Sequence, residues 1–399
     1  MKYVTGFFFV TLLAFLALPT DGRTEDFSAT ERATILSLGP WPPPVTKDRS
    51  NRASGNPEAI ALGKMLFFDR RLSKEDQTSC ADCHKPELAF TDGMDLNEGY
   101  KKITRHTPTV INLRGHTWFG WGGEADNLWA QSIRPMLSRN EMAGSPSRVR
   151  RVITTDPNLS CRFKVAFGED PATLGKYDVL VLVAKALAAW QETLVTEKSA
   201  FDHFRDALET GDTRAMNAYP AAAKRGLKIF AGEGRCTFCH LGPDFSNGEF
   251  GNIGVPFFIA KGKVDPGLHG GIKILKKSQY NLLGRFNDDK SAKTKVRTRH
   301  VLQQHRNWGE FKVPSLRNVA LTAPYMHNGS VATLADVVEF YSDLDEERLH
   351  TDGEKILRPL RLPDQGKADL LAFLQTLSAP LSATIKASSV PSDCATVKN

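Results

Sequence analysis

Cysteine is scarce in this sequence, with six among 399 residues. Long apolar runs are scarcer. The one sustained run, the uncharged stretch from Tyr3 to Thr20, is short for a helix that crosses a bilayer, so no stable membrane insertion is expected. A nucleic-acid footprint is missing too: the net charge of +7 comes from Lys and Arg dispersed along the chain with no recognition motif beside them. That charge favours acidic partners over basic ones and gives no reason to expect nucleic acid. Disorder does not dominate, because 41% hydrophobic and 24% charged residues are ordinary for globular material, and the length allows two or three domains. Histidine is also sparse, and none lies between Lys85 and Arg105.

Four of the few cysteines stand in a repeated pattern. Cys80-Ala81-Asp82-Cys83-His84 recurs as Cys236-Thr237-Phe238-Cys239-His240. Two thiols three residues apart on a turn entering a helix can both add across the vinyl groups of one haem, and the next residue then sits under the iron. A thioredoxin-like redox pair or half of a zinc site are the alternatives, and neither explains the immediate His twice over. The pattern therefore predicts two c-type haems. Cys161 and Cys394 are left over, and one disulfide between them stays open. Lys2 before the apolar run, with Thr20-Asp21-Gly22 as a weak cleavage site, reads as a secretory signal over residues 1–22; an uncleaved anchor is the alternative. Export to the periplasm fits c-type attachment.

Residues 23–57, rich in Pro, Ser and charge, read as an extended lead-in. A short amphipathic helix is expected from Pro57 to Phe68, and Val179 to Glu197 reads as a buried helix. Glu209 to Pro220 is taken as the boundary between a first domain, 58–210, and a second, 221–380, followed by a tail, 381–399. Leu227, Ile229 and Phe230 precede Cys236 much as the earlier helix precedes Cys80, so the architecture looks duplicated. Gly262 to Arg306, polar and basic, reads as a surface insertion. Leu370, Leu371, Phe373, Leu374 and Leu377 form a helical stripe near the end, after a cap at Asp364.

Several linked motifs carry a family resemblance: Leu62-Gly63-Lys64-Met65-Leu66-Phe67-Phe68-Asp69, Ala89-Phe90-Thr91-Asp92-Gly93, Thr107-Pro108-Thr109, Val313-Pro314-Ser315-Leu316-Arg317-Asn318 and Ala323-Pro324-Tyr325-Met326-His327-Asn328-Gly329. From about Pro57 to Leu377 the chain resembles the bacterial di-haem cytochrome c peroxidases and MauG. The resemblance implies a mainly α fold of two cytochrome c-like domains, each carrying one covalently attached c-type haem, with the haems facing each other across the interface. It implies His84 and His240 as proximal ligands, and Cys80, Cys83, Cys236 and Cys239 as the attachment points. Trp121, Gln131 and Glu141, ten residues apart in turn, match the distal side of the first haem. There a carboxylate assisted by an amide can move the proton that peroxide cleavage requires. Trp121 resembles the residue between the haems. The family's sixth ligand to the second haem falls at Tyr341, where typical peroxidases hold Met; the alternative is that Tyr341 packs and that Met326 or no side chain ligates.

The expected activity is reduction of hydrogen peroxide at the first haem, with electrons from a small periplasmic cytochrome or copper protein relayed through the second. A MauG-like oxidation of tryptophan in a protein substrate is the alternative that Tyr341 favours. A pure electron carrier, the third reading, has no use for Glu141 and Gln131. Calcium between the haems would use carbonyls of Thr322 and Pro324, with His106 standing where the family often has Asn. Homodimers are common in the family.

Overall fold

The computed structural model describes residues 27–255, 258–291, 293–345, 357–381 and Cys394. The secretory signal expected over residues 1–22 and most of the tail lie outside the described residues. The first element corrects the expectation of an extended lead-in: Ala29–Ser37 form a helix, α1, closed by a capping box in which Ser28 N donates to Glu31 at 2.7 Å and Glu31 N donates to Ser28 Oγ. Composition concealed it because α1 buries little besides Ile35; its neighbours Phe27 and Leu38 complete a sparse apolar face.

The frame of the first half is α2 (Pro57–Phe67) crossing α7 (Lys176–Gln191). Asn56 caps α2 by accepting from Glu58 N and Ala59 N, and Pro57 sits where its missing N–H costs nothing. Leu62, Leu66 and Phe67 are fully buried, each stabilising the fold by about 1.5–3 kcal/mol. Gly63 has a steric reason, since a Cβ there would run into the Ala186 carbonyl. Around this pair pack α4 (Leu128–Leu137), α5 (Pro146–Thr155) and α6 (Pro157–Phe167). Cys161 of α6 is joined to Cys394 in a disulfide, which ties the tail to the first half.

The second half repeats the device. α10 (Ala221–Ala231) crosses α14 (Asp364–Gln375), with Gly226 against the Asp369 carbonyl and Arg225 gripping the Asp369 carboxylate through two bonds of 2.7 Å. α13 (Leu334–Ser342) packs on α14. Two hydrophobic cores result, one drawn mainly from residues 53–194 and one from residues 27–38 with 201–377. The boundary expected after residue 210 moves accordingly. α8 (Ala200–Thr210) turns Phe201, Phe204 and Leu208 into the second core, so the change of allegiance lies between Leu194 and Phe201, and the polar 209–220 stretch holds only the short α9 (Thr213–Ala218).

The surface-insertion reading of 262–306 is also corrected. α11 (Gly267–Lys277) and α12 (Val296–His300) belong to a strap that leaves the second half and lies on the first. Phe286 enters the first core, Lys185 donates to Phe286 O at 2.8 Å and to Asp288 at 2.5 Å, and Thr298 donates to the buried Asp126 at 2.6 Å. Two minimal antiparallel ladders complete the described chain: β1 (Phe250–Gly251) with β4 (Phe311–Lys312), and β2 (Phe258–Ala260) with β3 (Lys263–Val264). No described helix is long and apolar enough to cross a membrane.

Candidate functional site

Both Cys-x-x-Cys-His runs form a single turn that presents the histidine at its end. In the first, α3 (Cys80–Cys83) starts from a Ser79–Asp82 capping box, Arg70 holds Asp82 through bonds of 3.1 and 2.5 Å, and His84 N donates to Cys80 O at 2.8 Å. In the second, a 3-10 turn over Cys236–Phe238 follows Arg235 at φ +52°, and His240 N donates to Cys236 O at 2.8 Å. His84 Nδ1 donates to Phe90 O at 3.1 Å, and His240 Nδ1 donates to Phe245 O at 2.9 Å. A carbonyl can only accept, so each Nδ1 carries the proton and each Nε2 keeps its lone pair free for a metal. Burial lowers the pKa of both imidazoles below the ordinary value, which favours the neutral form that ligates.

The carbonyl acceptors are set by strained backbone. Phe90 has φ +58° and Phe245 φ +50°, a left-handed conformation that bulky residues avoid. Finding it at both motifs, six and five residues past the histidine, ties the strain to ring orientation. The rings match as well. Phe90 lies 6.1 Å from Phe67 and 6.2 Å from Trp190, while Phe245 lies 5.9 Å from Phe230 and 6.4 Å from Phe373. Phe67, Trp190, Phe230 and Phe373 escaped the sequence reading as site residues; the Phe shortly after each histidine paired with a Phe four residues after a helix glycine could have found Phe67 and Phe230, and no local signal marks Trp190 or Phe373.

The four motif sulfurs are free. Burial pushes the Cys80 thiol up to about 12, Cys236 to about 12 and Cys83 to about 11, and raises Cys239, so all four are neutral thiols. Paired neutral thiols beside a neutral imidazole with an open Nε2, walled by aromatics, fit a haem joined through two thioethers with its iron on the histidine.

The sixth-side residues differ between the cradles. Glu141, half-buried just beyond α4, is close enough to Cys83 for its charge to help raise that thiol, after burial itself and Asp92. Its segment is fixed by Tyr100 N donating to Glu141 O at 2.7 Å and Lys101 N to Asn140 O at 2.8 Å. Gln131 lies on α4 with its carbonyl accepting from Arg134 at 2.9 Å. Trp121 donates Nε1–H to His106 O at 2.8 Å, and its own carbonyl accepts from Lys312 N at 2.8 Å. Among the described residues no hydrogen bond joins Trp121, Gln131 and Glu141 to one another. Tyr341, at the end of α13, is the counterpart at the second motif: burial raises its pKa, and both Cys236 and Cys239 are near enough to push it further. Met326 instead packs against the second core at φ +72°.

Charged groups unforeseen from sequence surround Trp121. Arg105 pairs with Glu124 and, through bonds of 2.6 and 2.7 Å, with Asp265 of the strap. Beside them Lys312 Nζ lies 3.2 Å from His116 Nδ1. A cavity of about 380 Å³ lies nearby between strap and first half, lined by Arg114, His116, Asp126, Glu192 and Arg297 among others but by none of the motif residues, so it is not the haem cradle.

Comparison with known proteins agrees with this geometry. The family model for di-haem cytochrome c peroxidase matches residues 57–210. The methylamine utilization protein MauG of Methylorubrum extorquens is 33% identical over 358 residues, covering 89% of this chain and 88% of its own. Cytochrome-c peroxidase IdrP1 of Pseudomonas sp. strain SCT is 33% identical over 366 residues, covering 88% of each. Among solved structures, a MauG-like protein associated with microbial copper homeostasis superposes with a TM-score of 0.65 at 26% identity, over 88% of this chain and 98% of that one. The chain belongs to the di-haem cytochrome c peroxidase and MauG family of oxidoreductases.

Proposed function

We propose that this chain is a periplasmic di-haem peroxidase, with two cytochrome c-like domains each holding one haem covalently, at Cys80 and Cys83 and at Cys236 and Cys239. The observation that carries the reading is the asymmetry of two otherwise matching cradles: a carboxylate, Glu141, beside the first motif and a phenol, Tyr341, beside the second. His84 would hold a haem supplying the iron chemistry that peroxide cleavage needs, and His240 would hold one supplying a second redox centre. Glu141 takes the proton from the near oxygen of peroxide and returns it to the departing one, while Gln131 orients the oxygen through its amide. The Trp121 indole, pinned at both its ring nitrogen and its carbonyl, is held still for electron passage between the two halves. A small periplasmic cytochrome or copper protein supplies the electrons.

Calcium would need backbone oxygens such as those of Thr322 and Pro324, since no cluster of three or more His, Cys, Asp or Glu suited to a metal occurs among the described residues. Tyr341 favours a second reading, oxidation of tryptophan in a protein substrate, because a phenol at the second motif replaces the soft Met of typical peroxidases.

Glu141→Gln is the test. It keeps the shape and removes the proton acceptor, so peroxide turnover should fall by about a hundred- to ten-thousandfold with both haems retained in a pyridine haemochrome assay. A loss below about threefold would return Glu141 to a surface role.

A further inference from the structure

The strap concentrates charge that looked dispersed along the chain. Residues 258–306 hold twelve Lys and Arg against three Asp, a net +9, while the whole chain carries +7. The remainder is therefore slightly acidic, at −2. Two of the three acids are spent inward: Asp265 is buried on Arg105 and Asp288 is bonded to Lys185. The third, Asp289, is buried among Ser291 and Thr294. The cations face out. Lys273, Lys276 and Lys277 are exposed on one side of α11, and Lys293 and Arg299 are exposed around α12, with no ion pair among the described residues.

Apolar side chains are interleaved with these cations. Phe258 is 60% exposed, Ile274 49%, Val296 52% and Leu302 65%. Exposed apolar groups alternating along the strap with exposed cations have the composition of a protein docking face, where apolar contacts give affinity and the charge steers approach. Two alternatives fit less well. The apolar side of α11, Ile272 and Leu275, is already buried, leaving no continuous face to enter a lipid surface. No nucleic-acid recognition motif accompanies the charge.

The strap also sits against the electron route. Gly271 and Gly122 approach so closely that a Cβ on Gly271 would meet the Gly122 carbonyl, and Gly122 directly follows Trp121. We infer that the exposed face of the strap is the docking surface for an acidic electron-carrier protein, bound where its redox centre lies close to Trp121. This rests on the peroxidase reading for its purpose. Each docking oxidises the carrier by one electron, and two such events with two protons convert one peroxide to two waters.

The test uses the full-length protein with both haems and the triple variant Lys273→Glu, Lys276→Glu, Lys277→Glu. A control reverses three exposed cations elsewhere, Arg151→Glu, Lys176→Glu and Arg214→Glu, for the same change of net charge. Peroxide turnover is measured with a reduced acidic cytochrome c, a reduced basic cytochrome c and hydroquinone. At low salt the strap variant should lose about tenfold or more in kcat/KM for the acidic cytochrome and most of its salt dependence, with hydroquinone turnover unchanged and the control variant within about threefold of the parent. If hydroquinone drives no turnover in the parent, the peroxidase reading fails by itself; docking is then read by calorimetry with the oxidised acidic cytochrome, which the strap variant should bind about tenfold more weakly. Equal loss in strap and control variants, preference of the parent for the basic cytochrome, or tighter binding to phosphatidylserine vesicles or duplex DNA than to the acidic cytochrome at physiological salt would each overturn the inference.

Discussion

Removing the carboxylate of Asp202 should destabilise the second half by about 4 kcal/mol, within the 3–5 kcal/mol that breaking a buried ion pair costs. Arg317 and Asp202 are each only 1% exposed, joined by bonds of 2.9 and 3.0 Å. The guanidinium is sandwiched 3.6 Å above the Trp41 ring and 5.5 Å from Phe245, and its Nε donates to Pro243 O at 2.5 Å. Asp202→Ala strands this cation away from water, with Asp244 near enough to feel its charge but joined to it by no hydrogen bond among the described residues. It also removes the acceptor for Ser199 N at the start of α8, a loss that overlaps with the first and does not simply add. At roughly 2–4 °C per kcal/mol for a domain of this size, the melting transition should drop by about 8–16 °C. Replacing both partners with apolar residues, Asp202→Leu with Arg317→Met, should recover most of that loss, because no charge is then left buried and the desolvation cost disappears with the pair. Thermal melting by circular dichroism, followed in parallel at the Soret band, reads both effects. Arg317 braces the loop that carries Phe245 O, so the spectrum of the His240 haem should move with the destabilisation. A single variant that melts within about 2 °C of the parent, or a double variant as unstable as the single one, would refute the reasoning.

Other outcomes follow from the same geometry. Burial raises the Glu192 carboxyl from 4.5 to about 7, against a hydrogen bond from Ser54. The fold then keeps a proton that the unfolded chain releases above pH 4.5, so this contribution is complete below that pH and is lost as pH rises through 7. Glu192→Gln should therefore gain up to about 3 kcal/mol at pH 8 relative to pH 4 in paired denaturant melts, and a parallel pH profile for both proteins would exclude the effect. Cys236→Ala should leave one firmly held haem per chain by pyridine haemochrome, and two retained haems would contradict attachment at that thiol. Tyr341→Phe should change the visible and resonance Raman bands of the second haem alone, and an unaltered spectrum would return Tyr341 to the core.

What could be read from the chain depended on range. Both motifs and the helix before each were legible because their signals lie within one or two turns; the buried helix expected over Val179 to Glu197 was legible too, but it runs from Lys176 and stops at Gln191. α1 was not legible, since one capping box and one buried Ile give almost no periodic signal. The allegiance of α8 was hidden for another reason: a 3.6-residue stripe says that a helix buries a face, not which core receives it. Polarity misled the reading of the strap because a few of its polar groups turn inward to partners far away in sequence, as Asp265 does to Arg105, 160 residues away. For the site, the sequence offers candidate residues but not their mutual geometry, since Glu141, Gln131 and Trp121 are held by separate anchors.

The two cradles also show where function can differ within a repeated frame. Each has a glycine crossing, a phenylalanine four residues on, a two-thiol turn and a left-handed phenylalanine whose carbonyl takes the imidazole proton. These shared parts set the tautomer and orientation of the histidine equally in both halves, so they cannot make one site react with peroxide and the other store electrons. The difference has to come from the opposite face, where the first half offers a half-buried carboxylate and the second a half-buried tyrosine whose phenol burial holds above its ordinary pKa. An ionisable, hydrated acid can exchange protons with bulk water during turnover, whereas a buried phenol whose pKa is raised gives up its proton readily only to a strong local charge such as a metal ion. The first face thus suits proton transfer and the second suits ligation.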